Sequence, residues 1–390
     1  MQSDKLLEKK LGGEFTVEGE WWLPRPPNLT ESEFKRFGTL TFDPDNSNGI
    51  SLDVAGWLEP DIESYYELGK QFTEGRFGDR RNVIWGSTTE SELISLFGCY
   101  MQGHKADILP VSTYHAHLLF ASNRVWLNTD ELKFETLNVT YSHLHDWVGK
   151  SALHTSSFDP KKEQTVSLDK THLITSAEVG DYVISIGIGA YASFSGSPPT
   201  TAEFRQNTCF HVKQKDGEMI SCPELFRLQS GINNFLSLTS NEPIFPLTID
   251  VTAPVEGEQP ATARVLFEPV RTSPKKTSSG RHMLFTYNSV ANIFENALQK
   301  VIEDENMQPL YNQFFAEFRN PSTFVEDRFM AIIRAIEVFH RRVFDQGYYV
   351  PEDEYKDGLR KDLEEVVNDA DIGTNFRKSL CKKLEYGYEY

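Results

Sequence analysis

Cysteine is scarce in this chain and poorly placed for chemistry. Cys99, Cys209, Cys222 and Cys381 are the four cysteines in 390 residues, and no CxxC occurs. That spacing offers neither a zinc knuckle nor a redox pair. Four free thiols in a reducing compartment are the expectation. Positive charge is also short: 39 Lys and Arg stand against 57 Asp and Glu, for a net charge of −18. Such a surface repels nucleic acid, so any nucleic-acid contact needs a local basic patch. Long apolar runs are missing; none approaches the roughly 20 residues that cross a bilayer as a helix. The opening MQSDKLLEKK has no apolar core of a signal peptide. A soluble cytoplasmic protein away from membranes is expected. Internal repeats are absent as well.

What the chain does have is size and an apolar interior. At 39% hydrophobic and 25% charged residues, it reads as globular over two or three domains. The 27 Phe and 15 Tyr favour β-rich packing.

Residues 1–148 read as antiparallel β structure, with short apolar or alternating runs at 13–17, 38–42, 49–58, 82–85 and 93–101. Ile50, Leu52 and Val54 alternate with Ser51, Asp53 and Ala55, the period of a half-buried strand. A short helix is expected over 61–75, and a strand pair over 115–127 and 132–141, with 128–130 as its turn. Leu144 and Trp147 close this first unit.

A second β-rich unit spans 149–288, with strands at 181–188, 208–213, 246–251 and 263–267. One helix interrupts it: Leu225, Leu228, Ile232, Phe235 and Leu236 fall at helical spacing, and Ser221 with Glu224 forms a capping box. The stretch 272–280 reads as a connector. From 289 to 390 the pattern is helical. Val290, Ile293, Phe294, Ala297 and Val301 share one face, and further helices cover 308–318, 322–344, 354–368 and 375–384. In 322–344, Thr323 and Glu326 form a capping box. Phe329, Ile332, Ile333, Ile336, Phe339 and Val343 make its apolar stripe.

Three constellations invite chemistry. Gly187 to Ala192 fits GxGxxA after a strand, but Pro198 and Pro199 deny it the helix that would hold a pyrophosphate. Strand glycines in a close-packed sheet explain it better. His115/His117 and His143/His145 are HxH pairs that would chelate zinc if strand-borne, yet no third ligand has suitable spacing. Ordinary strand and turn histidines are expected, with no metal and no cofactor.

The helix over 322–344 is the stronger case. Arg334 and His340 satisfy Arg-x4–6-His formally, but six positions are about 600° of rotation and leave the two about 120° apart. Arg334, Glu337 and Arg341 converge better, at i, i+3 and i+7, with His340 near Glu337 at i+3. This cluster is read either as a salt-bridged stripe beside a core-facing helix or as the wall of an anion or RNA site. Arg377, Lys378, Lys382 and Lys383 form a basic patch against the chain's acidic trend, either a solvated face or a contact for RNA phosphate.

The residues 335–342, AIEVFHRR, together with 83–87, 93–98 and the run 134–147 ending in LHDW, resemble the ApeA-like anti-phage proteins. The resemblance implies a β-rich N-terminal region followed by a HEPN domain: an α+β multidomain protein, β-sandwich-like and then a helical bundle. It implies a metal-independent endoribonuclease acting on RNA, with tRNA one possible substrate. Two protomers would each supply Arg-x4–6-His, and a phage protein would trigger the β-rich region. In such sites the His serves the 2′-hydroxyl or the leaving oxygen, and the Arg stabilises phosphorane charge. The family's motif lies in a later helix, and no histidine follows His340. The bundle is therefore expected to be cut short at Tyr390. Glu337, His340, Arg341 and Arg334 are retained as the candidate catalytic set, and Arg342, Arg377, Lys378, Lys382 and Lys383 as RNA contacts. Two rival functions stay open: a non-enzymatic binding protein with a helical dimerisation module, and a zinc hydrolase built on the HxH pairs.

Overall fold

The computed structural model describes residues 11, 13–24, 35–44, 49–58, 83–105, 110–127, 132–155, 165–169, 172–195, 200–240, 243–255, 257–267, 283–304, 306–319, 324–343, 352–370 and 372–384. The chain divides into two compact units, Met1–Glu303 and Asp304–Tyr390.

In the first unit, the strands in chain order are β1 (Phe15–Trp22), β2 (Arg36–Phe42), β3 (Ile50–Ala55), β4 (Val83–Thr88), β5 (Leu93–Phe97), β6 (Tyr100–Lys105), β7 (Val111–Ala116) and β8 (Leu118–Ser122). They continue as β9 (Lys133–Phe134), β10 (Thr136–Tyr141), β11 (Leu153–Thr155), β12 (Val166–Leu168), β13 (His172–Val179), β14 (Tyr182–Ser195), β15 (Thr201–Gln214), β16 (Ile220–Ser221), β17 (Pro246–Ala253) and β18 (Ala261–Phe267). The helices are α1 (Leu144–Val148), α2 (Cys222–Ser240), α3 (Tyr287–Val290) and α4 (Phe294–Glu303).

Fourteen strands form one sheet, in the order β13-β14-β15-β10-β17-β18-β8-β5-β4-β1-β2-β3-β7-β6, and its paired strands are antiparallel. It runs through both β-rich regions that the sequence suggests. The expected strand pair over 115–127 and 132–141 does not form. Instead β8 lies between β5 and β18, and β10 between β15 and β17. A bend at His117 ends β7, and the pairings are non-local, so adjacency in sequence does not reveal them.

A second buried face opens part-way along this sheet. Ile186, Phe210, Val139, Ile249 and Val265 are paired neighbours across five strands and fully buried. The next row, on the opposite face because strand side chains alternate, runs Ser185, His211, Asn138, Asp250 and Arg264. It then continues as Ala121, Ile94, Gly86 and Trp21, all buried. One face is thus polar over β14, β15, β10 and β17 and becomes core from β8 to β1. Leu40, Leu52, Val54 and Leu96 extend that second core.

The first core is roofed by helices. α2 keeps Leu225, Leu228, Ile232, Phe235 and Leu236 buried, as its spacing predicts, and Ser221 Oγ accepts from the Glu224 amide at 3.5 Å. The Tyr141 hydroxyl donates to the Gln229 carbonyl at 2.8 Å, tying β10 to α2. A Cβ on Gly231 would come within 2.6 Å of the Ile302 side chain, so this glycine lets α2 and α4 approach. The helix expected through Val301 is broken by a 3-10 turn over Ala291–Ile293, which leaves Ile293 exposed. Trp147 on α1 packs edge-on against Phe235 and Tyr287 and beside Phe294. The LHDW run is therefore a packing anchor here.

The second unit holds α5 (Gln308–Arg319), α6 (Val325–Val343), α7 (Arg360–Asp369) and α8 (Thr374–Lys383). A π turn over Tyr355–Leu359 leads into α7, and the Tyr355 hydroxyl donates to the Leu384 carbonyl at 2.6 Å. α5 packs against α6. The apolar stripe of α6 does not face a core among the described residues: Phe329, Ile332, Ile333 and Ile336 are exposed, whereas Ala331 and Ala335 are buried. Small residues at i and i+4 let a neighbouring helix come close, which is why this narrower face is the buried one. The helix expected over 61–75, the connector 272–280 and the cap residue Thr323 lie outside the described residues.

Candidate functional site

α6 carries the candidate catalytic set. Its first turn holds Glu326 and Asp327, which suit a helix N-terminus. About three turns later the Arg341 Nη2 donates to Glu337 Oε1 at 2.7 Å, an i,i+4 pair with about half of each side chain open to solvent. Arg334 and His340 are exposed on the same helix. The structure thus joins Glu337 to Arg341 and shows Arg334 and His340 on the surface of α6. The side chain of Arg342 lies outside the described residues.

The basic patch on α8 divides. Lys378, Lys382 and Lys383 are exposed, but Arg377 is occupied. Its Nη2 donates to the carbonyls of Ala370 (2.8 Å) and Ile372 (3.4 Å), so it closes the end of α7.

The HxH pairs do not act as strand-borne chelates. His115 is buried on β7, where Nε2 meets the Gln102 amide oxygen and the ring lies 5.5 Å from Tyr100. His117 sits past the end of the strand. His143 and His145 belong to a turn and to α1, and the Gln206 amide donates to the His145 ring at 2.9 Å. No group of three or more His, Cys, Asp or Glu side chains suited to a metal occurs among the described residues. Gly187 and Gly189 are indeed strand residues, but nothing lies within 4 Å of a Cβ built on Gly187, so close packing does not explain that glycine.

Sequence reasoning missed the polar row. The His211 ring is 2.7 Å from Asn138 Oδ1 across β15 and β10, and Arg264 forms a two-bond pair with Asp250 across β18 and β17. An open cleft of about 400 Å³ lies against this pair, lined by Asn123, Arg124, Asp250, Pro260, Thr262 and Arg264. The only signal in the sequence is one charged residue in each of two strand-like runs, TIDVT and ATARVLF. The row does not make a nucleophilic site. Burial, then the negative charge of Asp250, pushes the Cys209 thiol up, away from the reactive thiolate. Burial and then Lys213 hold the His211 imidazole below its ordinary range. Burial likewise raises Cys99, and raises Cys222 to about 11.

The family described as ApeA N-terminal domain 1 matches residues 16–301. The chain belongs to the ApeA family of anti-phage proteins. This match covers nearly all of the ApeA-type sheet and its roofing helices, and it ends two residues before the division between the two units. No curated protein and no solved structure matches the chain. Among the described residues, no helix is long and apolar enough to cross a membrane.

Proposed function

We propose that this ApeA protein is an anti-phage effector whose β-rich region governs an RNA-directed helical unit, with a phage protein as the trigger. The observation that carries this reading is the joining of the ApeA region, 16–301, to a separate helical unit whose α6 exposes Arg334, Glu337, His340 and Arg341 within about two turns. RNA is cut without a metal when its 2′-oxygen bonds to phosphorus and the bond from phosphorus to the 5′-oxygen breaks. One proton leaves the 2′-hydroxyl and one reaches the 5′-oxygen. His340 is the candidate for a proton transfer, and the guanidiniums of Arg334 and Arg341 for the phosphorane charge, with Glu337 orienting Arg341. Lys378, Lys382, Lys383 and Arg342 are the candidate phosphate contacts. Two protomers would complete the constellation.

The test is RNA cleavage by the purified chain with EDTA present. Products ending in 2′,3′-cyclic phosphate are expected, with a loss of about 100-fold or more in His340→Ala. Intact RNA in the presence of a trigger-bearing phage lysate would sink the nuclease reading.

One observation favours a second reading. The exposed Phe329, Ile332, Ile333 and Ile336 on α6 suit a helical dimerisation module in a protein that binds a phage component without cutting RNA.

A further inference from the structure

The β14–β15 hairpin outruns its sheet. Its strands pair without a break from Tyr182 with Gln214 to Ser195 with Thr201. β13 follows β14 only to Ile188, and β10 follows β15 only from Phe210 to Lys213. Residues 189–195 and 201–207 therefore form a two-stranded ribbon beyond both neighbours. Seven residues at about 3.4 Å each project about 24 Å.

The two edges of the ribbon differ. The β15 edge is charged and buttressed: Arg205 pairs with Glu203 at 2.6 Å, and Gln206 Oε1 accepts from the amides of Ala152 and Leu153. The β14 edge reads Gly-Ala-Tyr-Ala-Ser-Phe-Ser over 189–195, with no charge and no proline. Its register has no bulge, and no strand among the described residues pairs with it. Tyr191 is 52% exposed and Phe194 66%. Charge, proline and bulges are the devices that keep strand edges from pairing with other chains, and this edge has none of them.

We propose that the 189–195 edge pairs antiparallel with the same edge of a second copy of this chain, centred on Ala192. The segment is self-complementary about that residue. Phe194 of one copy falls over Ala190 of the other, Tyr191 over Ser193, and Ala192 over its counterpart, each large ring on a small side chain of the same face. Centring on Ala192 is also the register that pairs all seven residues. Charge permits the contact although each chain carries −18. The meeting strands are neutral, and antiparallel pairing puts the two acidic bodies at opposite ends of the ribbon, beyond the Debye length of about 8 Å. A strand edge of seven residues buries far less than the about 800 Å² per partner of a standard stable interface. The pairing is therefore weak and concentration-dependent.

The test uses the full chain carrying Ala192→Cys, oxidised over a dilution series and run without reductant. A covalent dimer several-fold above the wild-type background, lost on dilution, is expected. Glu203→Cys, on the other strand and more exposed than Ala192, should stay at background. In sedimentation, Phe194→Lys should lower the associated fraction of the otherwise wild-type chain. Cross-linking of Ala192→Cys no greater than that of Glu203→Cys would overturn the proposal, whether the edge is then vacant or takes a strand of another protein. So would unchanged sedimentation of Phe194→Lys. Dimerisation through α6 would leave the cross-linking comparison unaffected, so this test stands apart from the proposed function.

Discussion

Arg264 donates two hydrogen bonds to Asp250 on the neighbouring strand, Nε to Oδ1 at 2.5 Å and Nη2 to Oδ2 at 3.2 Å. The pair stands where the second face of the sheet turns from polar to core: the Arg264 side chain is 9% exposed and that of Asp250 26%. Beyond Asp250 the row is polar, and beyond Arg264 it is apolar. Asp250→Ala removes both of these bonds from a buried guanidinium and is expected to cost about 3 kcal/mol. Asp250→Leu with Arg264→Met should recover most of that loss, since both charges of the pair are then replaced by apolar side chains. Denaturant unfolding of the three variants checks this, and an Asp250→Ala variant as stable as wild type would refute it.

Gly86 makes room for Trp21. A Cβ there would lie 2.2 Å from the indole ring, and Trp21 is fully buried with its Nε1 donating to the Gly38 carbonyl at 3.1 Å. Gly86→Ala is expected to destabilise by about 1–3 kcal/mol through forced displacement of the ring. Unfolding monitored by tryptophan fluorescence measures it.

His211 gives a pH signature. Burial, and then Lys213, lowers its pKa from the ordinary 6.5. The unfolded chain therefore takes up this proton before the folded chain does, and stability falls as pH drops below about 6.5 until the folded pKa is passed. His211→Gln removes this component and leaves a side chain able to bond Asn138. The stability of wild type relative to His211→Gln should fall between pH 7 and 5 and stay flat between pH 9 and 7. Glu178 and Glu203, whose pKa values are lowered by hydrogen bonds from Lys215 and Arg205, lose their contribution only below 4.5 and do not blur the window.

The basic residues of α8 should separate by assay. Arg377→Ala removes two hydrogen bonds to carbonyls at the end of α7 and is expected to cost about 1–2 kcal/mol. Lys378→Ala, on an exposed side chain, should leave stability within about 0.5 kcal/mol. It should instead lower RNA affinity in a salt-dependent way. Melting curves and filter binding at two salt concentrations distinguish the two.

The same contrast shows what the sequence reveals. Alternation at Ile50, Leu52 and Val54 marks β3, and the spacing from Leu225 to Leu236 marks α2, because each element's period is local. Which strands become neighbours is a matter of non-local pairing. The strand run 115–127 divides at His117, and β8 pairs with β18 across about 140 residues of chain. α6 is amphipathic as read, but its buried face is the alanine pair at 331 and 335, since apolar period alone does not say which stripe finds a partner. The candidate site was legible where it is helical, in Glu337 and Arg341. It was hidden where it depends on register, in the row from His211 to Arg264.

The measurement that bears most directly on the account is phage challenge of cells making wild type or His340→Ala at equal levels, with cellular RNA ends mapped after infection. Protection together with new RNA ends in wild type, both lost in His340→Ala, is the predicted result. Protection by wild type with RNA left uncut, or by His340→Ala undiminished, would contradict the RNA-directed reading and leave the protein as a binding device.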